Sequence, residues 1–245
     1  MNRTRPAAGG GKVVEVAAAR LAGWLDRFAQ RHDGVRQVDV DDASFTVQAA
    51  DGATATAEVP FPPLTEDTLG RPLAEFSSAL LSSAPPQRPL LLVDAVRAHL
   101  AAPRRVGLVL VRLGGHSVGV VAAGRVLVSA TDHRPVHGRN KAGGWSQQRF
   151  ARRRAGQARV ALLAAAQDIQ RVLGTRLAEL DAVVLGGDRH ALDELRARPA
   201  LAGVFALAQP RVLDVPSPRR LVLDEAAERA FSLEILVREP APEGS

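Results

Sequence analysis

Three runs of β-branched residues stand almost end to end, VGLVLVRL from Val106, HSVGVVAA from His116 and GRVLVSAT from Gly124, punctuated by Gly114, Gly115 and Gly124. Valine-rich runs this short and this closely punctuated predict three sequential strands. The residues downstream of a basic loop determine how that sheet is covered. There Ala158, Leu162, Ala165, Ile169 and Val172 recur by steps of four and three. That spacing predicts a long helix with one buried stripe, starting near Ser146 as its N-cap. DAVVLGG reads as a buried strand and DRHALDELRAR as a short helix stopping at Pro199. PRVLDV reads as another strand and DEAAERAFSLEILVRE as a closing helix. The order βββ, α, β, α, β, α predicts an α/β sandwich on a mixed sheet.

The N-terminal part has a different grammar. Val14, Ala17, Leu21, Trp24, Leu25 and Phe28 fall at helical spacing, so a helix is expected over Val14 to Arg31, with Trp24 as a core anchor. VRQVDVD, ASFTVQAA and ATATAEVPF then alternate apolar and polar residues between Asp-Asp and Asp-Gly, the pattern of an antiparallel meander. Prolines in PFPPL and SSAPPQRP mark a connector, followed by a helix over Leu90 to Leu100. The expected organisation is a tail over 1–13, a smaller α+β unit with its connector over 14–101, the mixed-sheet domain over 102–240, and a tail over 241–245.

Composition narrows the chemistry. The chain has 245 residues, no cysteine and a formal charge of +6; all of its 32 basic residues are arginine except Lys12 and Lys141. Without cysteine there is no disulfide, thiolate metal site or thiol nucleophile, which fits a reducing compartment. No run approaches the roughly 18 apolar residues of a membrane span, so a cytoplasmic protein with no membrane partner is expected. Arginine forks onto phosphate and stacks on bases, so the balance leans toward nucleic acid, although a GC-rich genome also favours Arg and Ala.

The basic loop concentrates that charge. HGRNKAGGWSQQRFARRRAGQAR runs from His137 to Arg159. Gly143 and Gly144 remove side-chain bulk and allow close approach to another surface. Arg149, Arg152 and Arg153 fall on one face of the adjoining helix, with Arg154 and Arg159 beside them. A solvated helix face and an ordinary loop are the plainer readings of these features taken one at a time. Together they describe a mobile tip on a helix suited to lie along phosphates.

The stretch resembles the GGQ-bearing tip of the eukaryotic and archaeal class-one peptide chain release factors, in which a basic HGR-type lead precedes Gly-Gly, Gln-Ser and an RFxRxR helix start. Here HGR stands at 137–139, Gly-Gly at 143–144, Ser146 next, and Arg149-Phe150, Arg152 and Arg154 in the same spacing. AVVLGGDRHALDEL at 182–195 and RVLDV at 211–215 are similar to later segments of that family, so the likeness runs from Arg105 to Arg238. It departs from the family in two places. Asn140, Lys141 and Ala142 intervene before Gly-Gly, and Trp145 holds the position of the family's glutamine, which is displaced to Gln147 or Gln148. A shifted glutamine without a codon-reading domain resembles the Vms-like release factors, in particular their actinobacterial branch.

That resemblance implies a release-factor middle-domain-like sandwich that hydrolyses peptidyl-tRNA on stalled ribosomes or split large subunits. It implies Gly143, Gly144 and Gln147 or Gln148 at the reaction centre, with Arg139, Lys141, Trp145, Arg149, Arg152, Arg153, Arg154 and Arg159 as RNA contacts. The implied partners are the large ribosomal subunit, its rRNA and peptidyl-tRNA; no cofactor or metal is expected. An amide offers a donor and an acceptor without a charge to desolvate, which suits placing a water in a site walled by RNA. Gln147 stands nearer the tip and Gln148 one residue deeper, and both stay open as the reacting amide.

Two other readings keep their tests. A release-factor-like domain that docks on RNA without hydrolysis has no need of a glutamine beside Gly-Gly. A tRNA-cleaving nuclease would need clustered carboxylates, for which Asp168, Asp181 and Asp188 are the candidates. Asp168 reads more simply as a polar helix residue and Asp188 as an N-cap. Asp132, His133 and His137 form too loose a spacing for a metal site to be expected.

Overall fold

A computed structural model describes residues 3–65, 70, 72–82, 88–112, 114–133 and 145–240, with side chains left undescribed at 79–82, 88 and 145–155. The chain divides into two compact units, residues 1–102 with 231–245, and residues 103–230.

The first unit is built on a six-stranded antiparallel sheet in the order β1-β2-β11-β5-β4-β3. Its strands are β1 (Thr4–Pro6), β2 (Lys12–Ala17), β3 (Val35–Val40), β4 (Ser44–Ala49), β5 (Thr54–Glu58) and β11 (Ser232–Arg238). The meander β3-β4-β5 lies where alternation placed it. Phe45, Val47 and Ala49 are buried on one face because side chains alternate along a pleated strand. Helices α1 (Leu21–Arg31), α2 (Leu73–Ser82) and α3 (Arg88–Ala101) complete the unit. Helix α1 ends where Gly34, at φ +100°, turns its N–H back onto the carbonyl of Ala29.

Three sequence expectations change here. The helix expected from Val14 begins only at Leu21, because Lys12–Ala17 pairs as a strand with β11 and buries Val14 and Val16. The closing helix stops at Arg229, and Ser232–Arg238 is a strand that buries Leu233, Ile235 and Val237. Residues 231–240 accordingly belong to the first unit and not to the mixed sheet. The Pro-rich connector also contains α2.

The second unit carries a five-stranded mixed sheet in the order β10-β9-β6-β7-β8. It comprises β6 (Arg105–Arg112), β7 (Gly115–Ala122), β8 (Arg125–His133), β9 (Ala182–Gly187) and β10 (Ala208–Leu213). The pairs β6-β7 and β7-β8 are antiparallel, as consecutive hairpin strands must be, while β9 runs parallel to both β6 and β10. Helices α4 (Trp145–Val172), α5 (Arg189–Arg196), α6 (Ala202–Ala206) and α7 (Arg220–Arg229) cover it. Leu162, Ala165, Ile169 and Leu173 of α4 and its end pack with Val109, Val118 and Val120 in one core cluster. Leu223 of α7 lies against Gly119, on the opposite face of β7. Complete burial of a side chain such as Ile169 contributes about 1.5–3 kcal/mol, so this stripe is what holds α4 to the sheet.

Candidate functional site

The candidate site begins where β8, the edge strand, ends at His133 and where α4 starts at Trp145. Arg139, Lys141, Gly143 and Gly144, together with His137, lie outside the described residues. The helix starts one residue before Ser146, so Ser146 sits in the first turn and does not precede it. Gln147 and Gln148 are therefore first-turn helical residues. Trp145, Arg149, Arg152, Arg153 and Arg154 are also on the helix backbone; their side chains are outside the description.

That placement confers two physical properties. The first four N–H groups of an α-helix have no partner within it, and the helix dipole places partial positive charge at the same end. The Trp145 end is thus a set of backbone donors in a positive field. The 28 residues of α4 rise about 42 Å at 1.5 Å per residue. Among the positions of α4 whose side chains are described, the fully buried ones run from Ala161 to Val172. Before them Gly156, Ala158, Arg159 and Val160 are exposed. Ala158, expected in the buried stripe, is therefore outside it, while its neighbour Gln157 is half-buried with its Oε1 out of solvent. Arg159 is exposed.

A buried polar link that the sequence does not announce fastens this helix. His116 of β7 is 2% exposed, and its Nε2 lies 2.8 Å from Oδ2 of Asp168 on α4. Arg171, one turn on, donates to Oδ1 of the same carboxylate at 2.6 Å. Burial alone would raise the Asp168 carboxyl, but the hydrogen bonds from His116 and Arg171, and their charge, outweigh it and hold the group below the usual carboxylate range. The imidazole thus has a carboxylate to satisfy it and the carboxylate has two donors. The helix is pinned to the sheet by charge and hydrogen bonding as well as by its apolar stripe.

The three carboxylates considered for a metal are engaged separately. Asp168 is held by His116 and Arg171, and Asp181 accepts the backbone N–H of Arg105 at 2.7 Å. Asp188 caps α5 by accepting from the backbone N–H groups of His190 and Ala191 at 2.9 and 3.2 Å. The N-cap reading of Asp188 is the observed one. Among the described residues no group of three or more His, Cys, Asp or Glu side chains is arranged to hold a metal ion. Asp132 and His133 are successive residues of β8 and so point to opposite faces of the sheet. Among the described residues no helix is long and apolar enough to cross a membrane.

Residues 104–236, more than half of the chain, match the family described as the actinobacteria/chloroflexi VLRF1 release factor. The match begins at the head of the second unit, crosses the basic loop and all of α4, and ends in β11. No curated protein matches in sequence. Among solved structures, the chain is similar to the archaeal translation termination factor aRF1 at 11% identity, covering 88% of this chain and 73% of that one, with a TM-score of 0.39. It is also similar to an archaeal protein at 10% identity, covering 89% and 66%, with a TM-score of 0.35. A third likeness is to the S. cerevisiae Dom34, a translation termination-like factor involved in RNA quality control pathways and interacting with Hbs1. That one has 9% identity, coverage of 91% and 65%, and a TM-score of 0.31. The chain thus spans just under two-thirds of the yeast protein's length, and at these scores the structural likenesses carry no functional weight.

Proposed function

The chain belongs to the actinobacteria/chloroflexi VLRF1 release-factor family, and from that membership we propose that it is a peptidyl-tRNA hydrolase freeing nascent chains on stalled ribosomes or split large subunits. The observation that carries the reading is that the bounds of the family match enclose the Gly-Gly and glutamine stretch and all of α4, whose first turn holds both amides. The match supports a role in translation termination or ribosome rescue; the hydrolytic chemistry is our reading of these residues.

In this reading the ribosome holds the ester, and the tip supplies position and polarity. A water hydrogen-bonded to the glutamine amide attacks the ester carbonyl carbon. The carbonyl oxygen becomes an oxyanion, and the tRNA 3′ oxygen leaves with a proton derived from that water. The products are a free peptide carboxyl and intact tRNA. Backbone N–H groups of the Gly143–Gly144 loop and of the free end of α4 are donors of the kind that stabilise such an oxyanion, each worth about 2.7–4 kcal/mol where measured in enzymes. No ionisable acid or base is required, because the substrate ester is already activated and held in place.

Positions 147 and 148 stand about 100° apart around the helix axis. The two amides therefore serve different directions, so we assign one to the reaction and the other to RNA, with Gln147 favoured because it is closer to the tip. Arg149, Arg152 and Arg153 share one helix face and, with Arg139, Lys141, Arg154 and Arg159, would contact phosphate, while Trp145 would stack on a base.

The test is release from purified large subunits carrying peptidyl-tRNA, read as free peptide and as tRNA length, with and without chelator and beside a puromycin control for subunit integrity. Release of full-length tRNA, unchanged by chelator, is expected. Binding without release would replace the hydrolase by a docking protein, and shortened tRNA would replace it by a nuclease.

A further inference from the structure

The first unit lies almost entirely outside the family match, and it holds a cavity of about 380 Å³ between α1 and strands β1, β2 and β11. Its chemistry is one-sided. Lys12, Arg27 and Arg31 line it together with Trp24 and Phe28, and the lining contains no carboxylate. On α1 the four residues Trp24, Arg27, Phe28 and Arg31 follow the three-and-four rule and form a single face.

Trp24 was expected as a core anchor. It is instead half-buried, and its ring lies parallel to that of Phe28, with centroids 5.6 Å apart and planes 8° apart. Phe28, itself buried, is stacked with the Trp24 ring, which stays half-exposed on the cavity. Lys12 is paired to Glu239 at 3.0 Å, so its charge is already partly matched. The same Glu239 carboxylate feels the charge of Arg31, but as a weaker influence than Lys12 and His32. Arg27 and Arg31 are exposed, and neither makes a hydrogen bond or ion pair among the described residues. Two guanidinium groups one helical turn apart, with their forks open beside a half-exposed indole, match a nucleobase and its flanking phosphates: the base stacks while the forks take phosphate oxygens. The volume falls within the range of clefts that hold ligands of nucleotide size. A fatty or apolar peptide occupant would leave both guanidinium forks unused.

We propose that this cavity is a binding site for single-stranded RNA, in which one unpaired base stacks on the half-exposed Trp24 ring and Arg27 and Arg31 hold the adjoining phosphates. The protein would then grip RNA at a second place, independent of α4.

The protein has two tryptophans, so Trp145→Phe in the full chain leaves Trp24 as the only indole emitter. Titrating that protein with a short oligouridylate is expected to quench Trp24 saturably. Arg27→Glu with Arg31→Glu is expected to weaken binding at least about tenfold, as the loss of charge-assisted bonds implies. The slope of log affinity against log salt should fall by about 1.4, two single-strand phosphates at about 0.7 each. The milder Arg27→Ala with Arg31→Ala, shown by circular dichroism to be folded, covers the event that charge reversal unfolds the unit. Arg152→Glu with Arg153→Glu on α4 should leave the quenching unchanged, which separates this site from the release reading. The proposal is overturned by an absence of quenching, by quenching that survives the Arg27 and Arg31 changes in folded protein, by quenching that depends on α4, or by heparin quenching as well as RNA does. The last result would mean a polyanion surface with no base stacked.

Discussion

Replacing Asp168 by alanine is expected to destabilise the second unit by about 1–3 kcal/mol, nearly all of it through His116. The carboxylate has two partners of unequal weight. Arg171 is 65% exposed, and an ion pair with so exposed a partner contributes about 0–1 kcal/mol. His116 is 2% exposed and donates through Nε2 at 2.8 Å. Without Asp168 that donor is left buried and unmatched, which costs about 1–3 kcal/mol. The pH dependence has a definite sign. Asp168 is held below its ordinary range by its two donors, against the opposing effect of burial. Its contribution is therefore complete above the unfolded carboxyl value of about 3.9 and is lost as pH falls through the lower folded value. Urea unfolding followed by helical circular dichroism measures this directly. With a slope of about 2 kcal/mol per molar, the midpoint at neutral pH should drop by about 0.5–1.5 M, and the gap should close below about pH 4. Asp168→Asn, which keeps an acceptor oxygen, should lie between the two. An unchanged midpoint at neutral pH would refute the His116 link, and a gap that widens in acid would refute the linkage.

Other substitutions probe neighbouring parts of the account. Gly187 has φ +101°, and a Cβ there would stand 2.1 Å from the Val111 carbonyl oxygen; Gly187→Ala is expected to cost about 2 kcal/mol or more, read by the same urea titration. Asp188→Ala removes two hydrogen bonds at the start of α5 and should cost about 1 kcal/mol. Ala158→Lys, at an exposed position of α4, should change stability by no more than about 0.5 kcal/mol, whereas a position truly in the buried stripe would not accept a lysine without severe loss.

The elements legible in the sequence are those whose pattern is local. The valine runs of β6 and β7 announce strands because each buries side chains over nearly its whole length, and β8 is readable from its β-branched residues between Gly124 and the basic loop. The meander is visible because alternation and Asp-Gly turns agree. The cap at Asp188 is readable from Gly-Gly-Asp ahead of a helical pattern. What was hidden depends on partners far away in the chain. Lys12–Ala17 becomes a strand because β11 pairs with it from more than two hundred residues downstream, and a helical reading of VVEV had no access to that partner. Ala158 fits the periodicity of α4 yet is exposed, and periodicity alone does not say how far along a helix the buried stripe runs. Trp24 fits the apolar stripe of α1, and only the cavity shows that its ring faces open space. His116 and Asp168 are 52 residues apart with no motif to join them; a histidine at an inward position of a buried strand was the one available signal. At the candidate site, the residue types and spacing from His137 to Arg159 were readable, and the start of α4 assigns both glutamines to its first turn.

The most direct test of the account is single-turnover peptide release from large subunits carrying peptidyl-tRNA, comparing the natural protein with Gln147→Ala and Gln148→Ala at matched subunit occupancy. The account predicts that one replacement lowers release about a hundredfold or more, the scale of losing a group that stabilises a transition state. The other replacement should alter binding more than rate, with Gln147 expected to be the reacting residue. Release that persists undiminished in both variants, and in the double replacement, would contradict the claim that a tip glutamine positions the water.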